Sequence, residues 1–268
     1  MISFVSFLSD FGNEDEFVGV VHGVIAKMSP ETRVIDVNHS VHPGSVRDGA
    51  LSLMRAIQYL PEGVALAVVD PGVGTDRLPI AVETDWGYFV GPDNGLLSPA
   101  VAMVGGARCA HQLTNPDFII PSAGATFDGR DRFGPAAAVL ASGQARLQDL
   151  GEAIDPGALK PMILPLPELK DDSVSGHTWW IDRFGNVETN VGPDDLATIG
   201  ILPGDMMTIK IGIHEREIPL VDTYGRVEEG DLMAVIDSQG LIALSVRRGR
   251  AADHLAVGLE RPVTFSRA

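Results

Sequence analysis

The sequence predicts an α/β protein: an N-terminal domain built on a mostly parallel sheet with helices on both faces, followed by a smaller C-terminal all-β barrel or sandwich. Three observations predict it. Short apolar runs alternate with helix-period segments through the first half, a proline-rich charged stretch follows, and the remainder is cut into short strand-like runs by Gly, Asp and Pro. The runs "ISFVSFL", "TRVIDV" and "VALAVVD" end near Ser9-Asp10, Asn38 and Asp70. Between them lie "EDEFVGVVHGVIAKMSP" and "HPGSVRDGALSLMRAIQYLP", each with apolar residues on one helical face and a Pro at its end. This β-α-β-α-β rhythm requires parallel strands, and ligands of such sheets collect beyond the carboxyl ends of the strands. Asp10 and Asp70 stand at two such ends.

The expected division is residues 1–160 for the α/β domain, 161–172 for a linker and 173–268 for the β domain. "SGHTWWIDRFGN", "DMMTIKIG", "DLMAVIDSQGLIALSV" and "RPVTFS" supply the strands of the second part. At 268 residues with 45% hydrophobic content, the chain can bury a sizeable core. A net charge of −16 repels nucleic-acid phosphates and favours cationic small molecules. No apolar run reaches the roughly 18 residues of a membrane helix. The start "MISFVSFLSDFGNEDE" lacks the basic opening and cleavage site of a signal peptide, so a cytoplasmic location is expected. The single cysteine, Cys109, is read as a small core hydrophobe. Histidine spacing and the lack of a cysteine pair disfavour zinc, and His39, His42 and His111 read as surface or capping residues.

Five loops carry the polar residues. "SDFGNEDEF" places Asp10 at a strand end and Asp15 near a helix start; these acids suit a turn and an N-cap, and Asp10 equally suits a sugar diol. "VVDPGVGTDR" turns through Gly72 and Gly74 so that Asp70 and Arg77 can meet across it, with no Walker lysine and no G-x-G-x-x-G spacing. "VGPDNGLLSPA" offers Asp93 or Asn94 as an N-cap. "TFDGRDRFGPAAA" sets four charges before a small apolar helix, of which Arg130, Asp131 and Arg132 read as its capping and pairing set. "IDRFGNVETN" reads as a hairpin turn.

Together and in this order, these loops resemble the S-adenosylmethionine (SAM) hydroxide adenosyltransferases, also called adenosine-forming SAM hydrolases, which are related to the bacterial fluorinase and chlorinase. The match runs from about Ser9 to Ala252. The resemblance implies a homotrimer with active sites at subunit interfaces, between the N-terminal domain of one subunit and the C-terminal domain of the next. It implies attack of water, as hydroxide, at ribose C5′ of SAM, giving adenosine and L-methionine without metal or organic cofactor.

Carried over by motif, Asp70, Arg77 and position 128 hold the water. The family usually writes T-F-H-G-R-D there, whereas this chain has Asp128. Asp128 can act as base or water anchor beside Arg77, weaken hydrolysis because two carboxylates oppose a nearby hydroxide, or leave a catalytically weak SAM or adenosine binder. The resemblance assigns Asp10 to the ribose hydroxyls and Asn94 to the sugar region. Asp15 and Asp182 go to the methionine ammonium, Ser238 to its carboxylate and Asn186 to the adenine edge. Phe184 and Tyr224 are assigned to stacking on the base, and Phe127 and Gly129 to the wall beside C5′. A SAM-dependent halogenase is the alternative within the enzyme class; the retained Arg77 and the lack of the fluorinase loop insertion argue against it.

Overall fold

A computed structural model describes residues 3–268, and the chain divides into two compact units, one running to Met162 and the other spanning Ile163–Ala268. Ile2 of the first apolar run lies outside the described residues. In the first unit, strands β1 (Phe4–Ser9), β2 (Arg33–Asn38), β3 (Gly63–Val68), β4 (Pro79–Glu83), β5 (Gly87–Pro92), β6 (Cys109–Gln112) and β7 (Ala153–Ile154) form one sheet of order β2-β1-β3-β5-β4-β6-β7. β2, β1, β3 and β5 are mutually parallel, and β4, β6 and β7 extend the sheet antiparallel. The helices are α1 (Phe17–Met28), α2 (Val46–Ile57), α3 (Ser98–Met103) and α4 (Gly134–Ser142).

Side-chain alternation along β3 decides how the helices are placed. Val64, Leu66 and Val68 pack with Val21 and Ile25 of α1 and with Ala136 to Leu140 of α4. Ala65, Ala67 and Val69 point the other way, into Leu53 and Ile57 of α2 and Ala100 and Val101 of α3. The sheet is therefore covered on both faces, as its continuous apolar strands require. Ser45 caps α2 by accepting the Asp48 N–H at 3.4 Å, and α4 stops at Gly143 in the left-handed region, φ +70°. The crossovers from β1 to β2 and from β2 to β3 leave on opposite sides of β1, which opens a crevice beyond the carboxyl ends of β1 and β3.

The second unit is a barrel. Strands β8 (Glu168–Leu169), β9 (Ser173–Ile181), β10 (Val187–Thr189), β11 (Met206–Ile211), β12 (His214–Val221), β13 (Leu232–Ile236), β14 (Ile242–Val246) and β15 (Pro262–Arg267) follow the order β10-β14-β13-β12-β11-β15-β9-β8. Pairing of β9 with β10 closes seven of them into a ring, with β8 added outside on β9. Closure leaves the ring without free edges. Of the two architectures that the sequence allows, the chain adopts the barrel, and β12 with β13 is a parallel pair in an otherwise antiparallel ring. Met207, Ile209 and Ile211 of β11 and Val263 and Phe265 of β15 alternate into its interior. The start of β12, "HERE", is exposed or half-exposed and carries no apolar alternation, so it is invisible as a strand in the sequence. Two short helices, α5 (Pro193–Thr198) and α6 (Ala251–His254), complete the unit.

Leu66 is fully buried at the centre of the first sheet. Leu66→Ala is expected to destabilise that unit by about 2–5 kcal/mol through lost burial and a residual cavity, seen as a lower midpoint in urea unfolding.

Candidate active site

Asp70 leaves the end of β3 and the chain turns back at once. Thr75 N–H and Oγ1–H both donate to Gly72 O, at 3.1 and 2.7 Å, and Gly74 takes φ +78°. This compact loop returns Arg77 onto Asp70, with Nε donating to Oδ2 at 2.8 Å and Oδ1 at 3.0 Å and Nη2 to Oδ2. The same Nη2 donates to Asp128 Oδ2 at 2.5 Å. Asp128 Oδ1 also forms an ion pair with Arg132, whose Nε lies 3.1 Å away, and Arg132 Nη1 donates to Leu113 O at 3.2 Å. Arg77, Asp70 and Asp128 are 7%, 6% and 12% exposed in their side chains, so these ion pairs are little screened. Arg77 also lies over the buried Phe133 ring, 5.2 Å from its centroid. Burial opposes its charge, but hydrogen bonds and attraction from Asp70 and then Asp128 outweigh it and raise its pKa above the usual arginine value. The guanidinium is a fixed cation. A pocket of about 440 Å³ opens over the cluster, lined by Thr75, Arg77, Gln112, Asp128 and Arg132 among others.

Asp128 immediately precedes a π-helical turn, Gly129–Phe133, that runs into α4. No side chain caps that turn or α4, which corrects the reading of Arg130, Asp131 and Arg132 as a capping set. Arg130 pairs with buried Asp131, at 2.6 and 3.0 Å, and lies 5.2 Å from the Phe127 ring centroid. Arg132 reaches Asp128 instead. An acid and a base four residues apart on a helical turn was the available signal for that pair.

Asp10 follows β1 into the same crevice. The Gly44 N–H donates to its Oδ2 at 2.7 Å, which fixes the carboxylate. Ser9 Oγ meets His39 Nδ1 at 2.7 Å, His39 Nε2 meets Asp36 Oδ1 at 3.0 Å, and His22 Nε2 meets that oxygen at 2.7 Å. The Gly12 N–H donates to His39 O at 2.8 Å, so this chain of contacts ties the Asp10 loop to the end of β2. His39 is buried, contrary to the surface role expected of it, because β1 and β2 are neighbours and bring residues 30 apart together. Its two histidine contacts outweigh burial and lower the Asp36 pKa. Among the described residues, His22, Asp36 and His39 bring ligand atoms within 4.8 Å of one another, a spacing at which they could hold a metal ion.

Phe127 stacks edge-on with Phe11 and Phe17, at centroid distances of 5.7 and 5.1 Å. A Cβ on Gly129 would stand 3.0 Å from Phe11 Cζ and 3.2 Å from Phe127 Cε2, so a larger residue there would have to push these rings aside by a few tenths of an ångström. Asp15 is exposed just before α1, whose N-cap position, Glu16, makes no side-chain bond; the N-cap role of Asp15 is not realised. Asn94 bonds Val69 O through Nδ2 at 2.9 Å and accepts from Leu96 N at 3.1 Å, while Asp93 Oδ1 accepts from Lys160 N at 2.9 Å. Neither caps α3; both brace the loop against its neighbours. Cys109 is half-buried, its thiol donates to Glu83 at 3.1 Å, and burial followed by Glu83 pushes its pKa up, so it is not a thiolate nucleophile.

In the second unit, Asp182, Phe184 and Asn186 share the turn between β9 and β10. Asp182 accepts from Asn186 N at 2.9 Å and Nδ2 at 2.8 Å, Gly185 takes φ +84°, and Phe184 is 75% exposed. Tyr224 lies on a 3-10 turn, and burial followed by the charges of Asp182 and Asp237 raises its pKa. That places Tyr224 within electrostatic reach of both turns. Ser238 is exposed at the tip of the β13–β14 hairpin, which Asp237 Oδ1 organises by accepting from Gln239 N at 2.8 Å and Leu241 N at 3.1 Å.

Residues 5–151 match the N-terminal domain of the SAM hydroxide adenosyltransferases and residues 176–264 match their C-terminal domain. The chain belongs to that family. It is 45% identical over 253 residues to a protein of Salinispora tropica named (R)-S-adenosyl-L-methionine hydrolase, covering 94% of each chain. A Thermus thermophilus protein of the same name is 38% identical, with 97% of this chain and 98% of the relative covered. A fluorinase of an Actinoplanes species is more distant, at 27% identity and 90% coverage of each. A crystal structure of an uncharacterised conserved protein from Thermotoga maritima superposes with a TM-score of 0.92 at 31% identity, covering 98% of this chain and all of that one.

Ser9 is fully buried against His39. Ser9→Ala is expected to leave a buried ring nitrogen without its partner and to cost about 1–3 kcal/mol, measured as a lowered thermal midpoint.

Proposed function

We propose that the protein hydrolyses S-adenosyl-L-methionine, of the (R) configuration at sulfur that its relatives' name specifies, to adenosine and L-methionine. The observation that carries the reading is Arg77, clamped by Asp70 and Asp128 at the carboxyl end of the central strand and open to a pocket. Water held against this guanidinium passes one proton to a carboxylate of the pair. Its oxygen lone pair then forms the bond to C5′ as the C5′–S bond breaks. The electron pair of that bond goes to sulfur, methionine leaves as a neutral thioether, and the proton reaches solvent.

A sulfonium needs no protonation to depart, so the reaction requires neither cofactor nor metal as an acid. The difficulty lies in the nucleophile, where a positioned base contributes roughly 10²–10⁴-fold. A fixed cation lowers the cost of the hydroxide form, and the net charge of −16 suits a cationic substrate. Asp10, with one oxygen fixed by Gly44, keeps acceptor capacity for a ribose diol. Asp15 and Asp182 are assigned to the methionine ammonium, Ser238 to its carboxylate, Asn186 to the adenine edge and Phe184 with Tyr224 to its face. The family resemblance implies a homotrimer whose sites take contacts from two copies.

Chromatography of reactions with each sulfur epimer of SAM, with and without fluoride or chloride, is expected to show adenosine from the (R) epimer, and equal release from the other epimer would remove the stereochemical part of the reading. A 5′-halo-5′-deoxyadenosine product would overturn hydrolysis in favour of halogenation, and tight binding with no turnover would make the protein a binder. Arg77→Ala is expected to lower kcat at least about 10²-fold while adenosine affinity by calorimetry changes little; unchanged turnover removes Arg77 from the mechanism. Light scattering is expected to give three times the 28.5 kDa chain mass, and a monomer would overturn the shared site.

A further inference from the structure

The cluster at Arg77 contains two carboxylates where one guanidinium would leave a net negative charge. Both Asp70 and Asp128 direct an oxygen at the same atom, Arg77 Nη2. A hydroxide-like nucleophile forming there would be a third anion in a poorly screened site, and like charges oppose its formation. A second cation is present. Arg132 places Nε 3.1 Å from the other oxygen of Asp128, and its Nη1 is anchored on Leu113 O at 3.2 Å. It also lines the pocket above the pair.

This contact differs from the ion pairs of similar spacing elsewhere. Arg226 with Asp222 lies four residues apart with both side chains about three-fifths exposed, at 63% and 60%, where such a pair contributes little. Asp128 is 12% exposed and Arg132 35%, and Asp128 is shared between two guanidinium groups, one on each oxygen. Contacts on both oxygens restrain the carboxylate more than the single bond from Arg77 would.

We propose that Arg132 is a positioning residue for the hydrolytic step: it balances the charge that Asp128 adds beside Asp70 and holds Asp128 in the orientation that anchors the attacking water. The inference rests on the hydrolase reading and deepens it. It also explains how a carboxylate can stand where the family resemblance leads one to expect a histidine. Arg77 alone would serve one acid, and Arg132 serves the second.

The test is steady-state kinetics of the full chain with SAM, using Arg132→Met, Arg132→Lys, Asp128→Asn and the Asp128→Asn/Arg132→Met double variant. Arg132→Met is expected to lower kcat about 10- to 100-fold, the scale of a misplaced reacting group, with KM for SAM moving less than about threefold. Arg132→Lys, which keeps the charge without the fork, should recover part of that loss. In the Asp128→Asn background, removing Arg132 should change kcat less than about threefold, because its partner charge is already gone. Equal losses in both backgrounds, or an unchanged kcat in Arg132→Met, would overturn the inference while leaving the hydrolase reading intact. No adenosine from the unaltered chain would overturn both. Should Arg132→Met fail to fold, the comparison of Arg132→Lys in the two Asp128 backgrounds decides in the same way.

Discussion

One nitrogen, Nη2 of Arg77, holds the candidate site together. It donates to Asp70 at the end of β3 and to Asp128 before the turn that leads into α4, and Phe133 of that turn packs in one core cluster with Val64, Leu66 and Val68. Removing the guanidinium would leave two carboxylates facing each other with little solvent, which is why so much of the surrounding loop is organised around keeping it in place. Thr75 and Gly74 shape the turn that returns it, and Phe133 supplies an aromatic face beneath it.

The same strand ends hold Asp10. Its carboxylate is set by the Gly44 N–H and its loop by Ser9, His39 and Asp36, so the geometry of the crevice is written in hydrogen bonds between β1, β2 and the segment before α2. Rigid placement matters in a displacement reaction, where the nucleophile must approach opposite the leaving group and small misplacements are costly. Fixed polar groups on strand ends satisfy that demand better than mobile surface side chains would.

The barrel displays groups of another kind. Phe184 and Ser238 are exposed at turn tips, and Asp182 and Asn186 stabilise their own turn through mutual hydrogen bonds. A closed ring of strands keeps such turns rigid without needing a covered edge.

The alternation of apolar runs and helical segments by itself determined the parallel core β2-β1-β3 covered on both faces, because strand and helix periods are local properties of the chain, while the antiparallel extension by β4, β6 and β7 was not legible in it. It also determined that Asp10 and Asp70 would stand at strand ends and that Asp70 and Arg77 could meet across a glycine-containing turn. The tertiary structure alone decided which distant groups meet: Asp128 with Arg77, 51 residues away, and His39 with Ser9, 30 residues away. It also kept the pairing but not the capping expected of Arg132, giving it Asp128 as its partner, and resolved barrel against sandwich through the β9–β10 pairing. The physical reason is the same in each case. Sequence periodicity states which face of an element is buried, but strand order and ring closure, set by the packing of the whole unit, state which neighbour that face will find.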